Sequence, residues 1–220
     1  RRRCSLCLQA MPRRAAAGAA ALQPDGTRDL VSSARLLQLA PNRSAQTTLM
    51  KGFEKAFEGR SLADLPPQLI EAIATAGGGS LKLRLRQSQP AAITESLKKI
   101  ADSKTSVSER VALVEIFGQV QQESSLPTLL KLVRDEANDT VVSAALISLI
   151  SYDDAKIPVT VLGRYGKFSS RAKPVAQSLL VSRLPWTRIW LQQVASGKIA
   201  KESIPLALVR RMLLHNDPQI

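Results

Sequence analysis

The stretch SVSERVALVEIFGQVQQESSLPTLLKLVRDE, residues 106–136, decides the fold. Ser106 and Glu109 stand at capping-box spacing, in which a Ser oxygen and a Glu carboxylate satisfy orphan amides at a helix start. Behind them Val111, Leu113, Val114, Ile116, Phe117 and Val120 cover more than one narrow stripe, the pattern of a helix packed on two sides. Leu126-Pro127 opens a second helix carrying Leu129, Leu130, Leu132 and Val133, because proline is tolerated in a first turn. The pair then recurs. Leu126-Pro127 returns as Ile157-Pro158, while Val111, Ile116 and Leu130 match Val142, Ile147 and Val161 at an offset of 31 residues. Asn138 and Asp139 supply the cap of the second copy. Repeats of this length mark stacked two-helix units, none of which buries its apolar face alone.

Working outward, Ala172, Val175, Ala176, Leu179 and Leu180, then Trp186, Ile189, Trp190 and Val194, give a third unit. Ile204-Pro205 starts a further helix through Val209, Met212 and Leu213. The chain reads as truncated at both ends, so an apolar, adhesive flank is expected near Leu208, Met212 and Leu213. Toward the N-terminus, Leu30, Val31, Ala34 and Leu37 mark one helix, and Leu49, Phe53, Ala56 and Phe57 a second. Pro66 and Pro67 open a third with Leu69, Ile70, Ile73 and Ala74. Leu81 to Arg86 alternate apolar and basic as a half-buried strand does. A lone strand would leave unpaired edges, so a short helix is expected there. Pro90 leads the next, with Ile93, Leu97 and Ile100. The expected fold is all-α, a HEAT-like α-solenoid of stacked antiparallel helix pairs. The expected division is a basic, disordered arm over residues 1–26, less regular helical repeats over 27–104, and the HEAT-like repeats over 105–220.

Composition agrees with this reading. Aromatic residues make up only 4% of the chain against 45% hydrophobic residues, so aliphatic side chains must build the core, which favours helices over a β-sandwich. The formal charge is +13 and the pI near 10.3, a balance that attracts polyanions. Part of it belongs to the arm, where Arg1, Arg2, Arg3, Arg13 and Arg14 precede the first acid, Asp25. No apolar run approaches the roughly 18 residues of a membrane span.

Candidate chemistry is sparse. Cys4 and Cys7 form a C-x-x-C, yet Leu8 stands where covalent haem attachment needs His. A zinc site needs four ligands, and the only His is His215. His215 beside Asn216, Asp217 and Pro218 reads as a helix-end cap. Gly77 to Ser80 followed by Lys82 lacks the Gly-Lys-Ser/Thr order of a phosphate loop and reads as an inter-helix turn. Trp186 and Trp190, one turn apart, read as core, while Asp135-Glu136 and Asp153-Asp154 read as caps and turns. The candidate binding surface is basic: Lys82, Arg84 and Arg86, with Arg60, Lys98 and Lys99 nearby. No aromatic residues interleave with them as single-strand stacking platforms, which disfavours nucleic acid as a partner. No catalytic, cofactor or metal site is expected in this segment.

From Leu36 to Ile220 the chain resembles the helical-repeat middle of large planctomycete-type membrane-bound dehydrogenase proteins that carry a haem-binding domain. The phrases are Gly59-Arg60-Ser61-Leu62 leading to Leu65-Pro66-Pro67, Leu83-Arg84-Leu85, and Arg110-Val111-Ala112-Leu113. The closing ones are Trp186 to Leu191, Ile204-Pro205, and Leu214-His215-Asn216-Asp217-Pro218. The resemblance implies an N-terminal β-propeller, HEAT-like repeats and a C-terminal cytochrome c domain with C-x-x-C-H. This chain would then be the connecting scaffold of an exported, periplasmic or membrane-associated electron-transfer protein. Its partners would be adjacent domains of the same polypeptide, with haem c held in the parent protein and nothing catalytic carried over here.

Overall fold

The structure is a computed structural model that describes residues 27–57, 62, 65–215 and 217. The arm read over residues 1–26, with Cys4 and Cys7, lies outside them. Among the described residues all regular structure is helical: α1 (Thr27–Gln38), α2 (Arg43–Ala56), α3 (Pro67–Thr75), α4 (Leu81–Arg86), α5 (Pro90–Ala101) and α6 (Val107–Val120), then α7 (Leu126–Asp135), α8 (Asp139–Leu149), α9 (Lys156–Arg164), α10 (Ala172–Leu180), α11 (Leu184–Ala195) and α12 (Leu206–Leu213). Short 3₁₀ turns precede α7 and follow α9 and α11. No helix among the described residues is long and apolar enough to cross a membrane.

Helix starts follow local chemistry. Asn42 Oδ1 accepts the Ala45 amide at 2.9 Å, Ser80 Oγ that of Leu83 at 3.2 Å, and Asn138 Oδ1 those of Thr140 and Val141. Proline occupies the first turn of α3, α5, α7 and α11. Ser106 caps α6 by accepting from the Glu109 amide. The Glu109 carboxylate instead accepts from Lys99 Nζ at 2.8 Å, so it ties α6 to α5. Leu81 to Arg86 are a helix, N-capped by Ser80, with Leu83, Leu85 and Arg86 all buried. After α3, Gly77, Gly78 and Gly79 all adopt positive φ, and the Gly78 amide reaches back to the Ile73 carbonyl at 2.8 Å, the 6→1 bond of a glycine-stopped helix.

The chain forms two compact units. The first, 1–58 with 64–79, contains α1, α2 and α3; α1 packs on both others and buries Ala34 and Leu37 alongside Met50, Phe53, Leu69 and Ile73. The second, 59–63 with 80–220, holds the rest. The boundary read from sequence at 104/105 therefore separates helices that pack together. Leu85, Ala92 and Ile100 of α4 and α5 share one core with Leu113 and Phe117 of α6.

Within the second unit α6 packs on α8 and α8 on α10; α7 packs on α9 and α9 on α11; α7 also meets α8, and α10 meets α11. Burial recurs from one helix pair to the next, at an offset of 32 residues rather than 31. Ile116 is buried whereas Ile147, its match at 31, is 54% exposed. Moving the match by one pairs buried Ile116 with buried Ser148, Phe117 with Leu149, Leu129 with Val161, and exposed Glu115 with Ile147. Residue identity favoured one register, and the helix face imposes the other. The third pair keeps the packing order without keeping this period.

The α6–α8 crossing is close because its residues are small. A Cβ on Gly118 would lie 2.9 Å from Ser148 Cα, and Ser148 Oγ donates to the Val114 carbonyl at 2.9 Å. α6 then ends on Gln121, whose φ of 52° places a non-glycine residue in the left-handed region. That conformation costs an L-residue roughly 1–2 kcal/mol, and glycine is the usual occupant. Gln121→Gly is expected to add about 0.5–1 kcal/mol of stability after the entropy lost by glycine is counted. A thermal midpoint that falls or stays put would show that the exposed Gln121 side chain carries an interaction instead.

Candidate functional site

The basic residues singled out in the sequence do not share one exposed face. Lys82 is exposed, Arg84 is half-buried and 3.5 Å from Glu95, and Arg86 is buried at 7% exposure. α4 is only six residues long and packs on both α5 and α6, so Leu83, Leu85 and Arg86 are buried together. Arg86 is thereby removed from the proposed surface. Lys98 is exposed and Lys99 is bound to Glu109.

Other cations, which the sequence reading passed over, sit at the ends of neighbouring helices. Arg110 Nε donates to the Ile100 carbonyl at the end of α5 at 2.8 Å, and its guanidinium also bonds Glu136. Arg164 donates to the Val133 and Glu136 carbonyls closing α7, at 2.9 and 2.5 Å. Arg183 reaches the Ile150 and Tyr152 carbonyls after α8. His215 Nε2 lies 3.0 Å from the Val181 carbonyl closing α10, so it caps that helix and not the end of its own, α12. Each cation or imidazole meets carbonyls left without helical partners, at the end of the helix where positive charge is favoured.

Glu136 is the acid of this system. Burial raises its pKa, but the Asn138 amide, Arg110 and the Ala137 amide outweigh that and hold the carboxyl below its ordinary range. A second polar group ties α8 to α6. Tyr152 Oη lies 2.7 Å from the Phe117 carbonyl and 2.8 Å from Ser125 Oγ, which in turn lies 2.7 Å from the Gln122 carbonyl. Two hydroxyl protons serve three gaps, yet neither carbonyl is stranded, because Phe117 O also accepts from the Gln121 amide and Gln122 O from the Ser125 amide. Burial pushes the Tyr152 hydroxyl up.

The remaining candidates behave as scaffold. Trp186 and Trp190 are buried, with the Arg183 guanidinium 5.1 Å from the Trp186 ring. Asp135 pairs with Arg134, Asp153 lies 3.7 Å from Arg183, and Asp154 accepts the Lys156 amide. Among the described residues no cluster of three or more His, Cys, Asp or Glu could hold a metal ion. At the expected C-terminal flank, Leu208 and Met212 are buried, and the exposed apolar residues are Leu206, Leu213 and Leu214.

The described residues include concavities of two kinds. In the first unit an apolar groove of about 300 Å³ runs between α1 and α2, past Leu36, Leu37, Leu49, Phe53 and Phe57. In the second, a pocket of about 240 Å³ is bounded by Leu162, Tyr165, Lys173, Gln193, Lys198 and Ile199 together with Gly166, Ala200 and Ser203. Comparison with known proteins finds no match to this chain among family models, curated proteins or solved structures.

Proposed function

We propose that the chain is a non-enzymatic helical-repeat scaffold, a HEAT-like solenoid segment in which the pairs α6–α7, α8–α9 and α10–α11 stack as antiparallel units. One observation carries this reading: hydrogen bonds recur between residues about one repeat apart. They join Ser148 to Val114, Tyr152 to Phe117, Arg164 to Val133, Arg183 to Tyr152 and His215 to Val181. Each unit is thus tied to the one before it, the nearest-neighbour coupling of a solenoid. Such a stack spaces and orients what is attached to it.

The family phrases from Gly59 to Pro218 extend the proposal. The chain would connect a dehydrogenase domain to a cytochrome c domain in an exported protein, periplasmic or membrane-associated, with haem c in the neighbouring domain and adjacent domains as its partners. The coding sequence tests this: C-x-x-C-H should follow Ile220, and a frame that continues through a complete domain without it removes the electron-transfer part. Turnover of a sugar by this chain alone, with a dye as electron acceptor, would overturn the scaffold reading.

A second reading, an independent module docking an acidic protein or nucleic acid, draws support from charge. From Lys156 to Asp217 there are eleven Lys and Arg residues and two acids, Glu202 and Asp217. Retention on immobilised DNA that falls steeply with salt would favour it; no retention at low ionic strength counts against it.

A further inference from the structure

We propose that the pocket beside Tyr165 binds a small phosphomonoester. It lies in the second unit, between the turn Tyr165–Lys167, α10, the end of α11 and the turn Lys201–Ser203. Its walls are held from beneath. Gln177, 3% exposed, donates through Nε2 to Tyr165 Oη at 2.9 Å and to the Ser203 carbonyl at 3.1 Å, so one buried amide pins two opposing sides. That is the kind of support a preorganised site needs.

The lining is chemically divided. Leu162, Gly166, Ile199 and Ala200 with the Tyr165 ring offer apolar surface, while Lys173 and Lys198 bring positive charge. Lys173 Nζ stands 5.3 Å from the centroid of the Tyr165 ring, which orients its ammonium by a cation–π contact. Lys167 and Lys201 flank the pocket on the two turns that wall it. Among the described residues none of these four lysines forms an ion pair with a carboxylate. The one acid on the lining segments, Glu202, is exposed.

Two arguments narrow the ligand. Lysine ammonium groups are compact point charges, and several of them converging on one pocket suit the double charge of a phosphate dianion. Size points to a small ligand: the pocket holds about 240 Å³, less than the about 300–1,000 Å³ of sites that bury drug-sized molecules. A phosphate on a small organic group fits that space, with the phosphate at the lysines and the organic part against Leu162 and Ile199.

Amide NMR titration of the full chain with phenyl phosphate, inorganic phosphate and phenol tests the assignment. Phenyl phosphate should shift the Gly166, Ile199 and Ala200 amides saturably and bind more tightly than either fragment. The double variant Lys173→Gln/Lys198→Gln should weaken it by roughly ten-fold or more. Lys198→Gln alone, at an exposed position, should weaken it by about three-fold. The control Lys98→Gln/Lys131→Gln, whose lysines line no part of the pocket, should leave it unchanged. Absence of saturable shifts, an equal loss in the control, or phenol or phosphate binding as tightly as phenyl phosphate each overturns the proposal.

Discussion

Gly118→Ala is expected to destabilise the second unit by about 1–3 kcal/mol, the usual cost of overpacking a core. The sign is informative, because in an exposed helix interior the same change would add about 1 kcal/mol. Here the new Cβ would come within 2.9 Å of Ser148 Cα and 3.0 Å of its Cβ and Oγ. Backbone cannot swing aside as a flexible side chain can. α6 must therefore move off α8, disturbing the Ser148 bond to the Val114 carbonyl and the Tyr152 bond to Phe117 that lock the pair. Adding Ser148→Gly should recover only part of the loss, since it removes Cβ and Oγ but leaves Cα in place. Urea unfolding of the two single variants and the double closes the cycle. Stability of Gly118→Ala at or above the parent would mean that the close crossing does not exist in solution.

Features with local causes were legible in the sequence. Ser106 and Asn138 accept from amides two or three residues on, and the first-turn prolines act through their own fixed φ and missing N–H, so the helix starts they predict are the ones found. The breadth of the apolar surface on α6 predicted packing on two sides, and α6 meets α4 and α5 as well as α8. The 31-residue match read from the sequence differs by one from the offset at which burial recurs between α6–α7 and α8–α9, because matching Ile116 to Ile147 compares residue types while burial compares faces. The helix-end cations were not legible at all. Arg164 and Arg183 address backbone carbonyls 28 to 33 residues away, and a carbonyl carries no side-chain signature. For the same reason Arg86 read as surface: its basic neighbours on a six-residue helix concealed how deeply α4 is set into the core.

Arg110→Met carries the largest expected loss, about 3 kcal/mol at neutral pH, the low end of the cost of removing one partner from a buried ion pair, because this pair is only partly buried. The Arg110 side chain is 7% exposed and that of Glu136 16%, so water cannot readily replace the lost guanidinium. The Ile100 carbonyl loses its donor as well. The effect should depend on pH in a definite direction. Glu136 has a depressed pKa in the folded chain, so it contributes stability that is present above the unfolded value of about 4.3 and lost as pH falls through the folded one. In Arg110→Met the burial that raises this pKa remains while two opposing influences, the Arg110 hydrogen bond and its charge, are gone. The variant's carboxyl should then protonate at higher pH than the parent's, and the gap between them should narrow on acidification through pH 4. Adding Glu136→Gln, which keeps an oxygen for the Asn138 amide but removes the uncompensated charge, should restore part of the loss at pH 7. Chemical unfolding at pH 7 and pH 3.5 distinguishes the causes: a penalty identical at both would assign the role of Arg110 to packing and to the Ile100 carbonyl rather than to its pairing with Glu136.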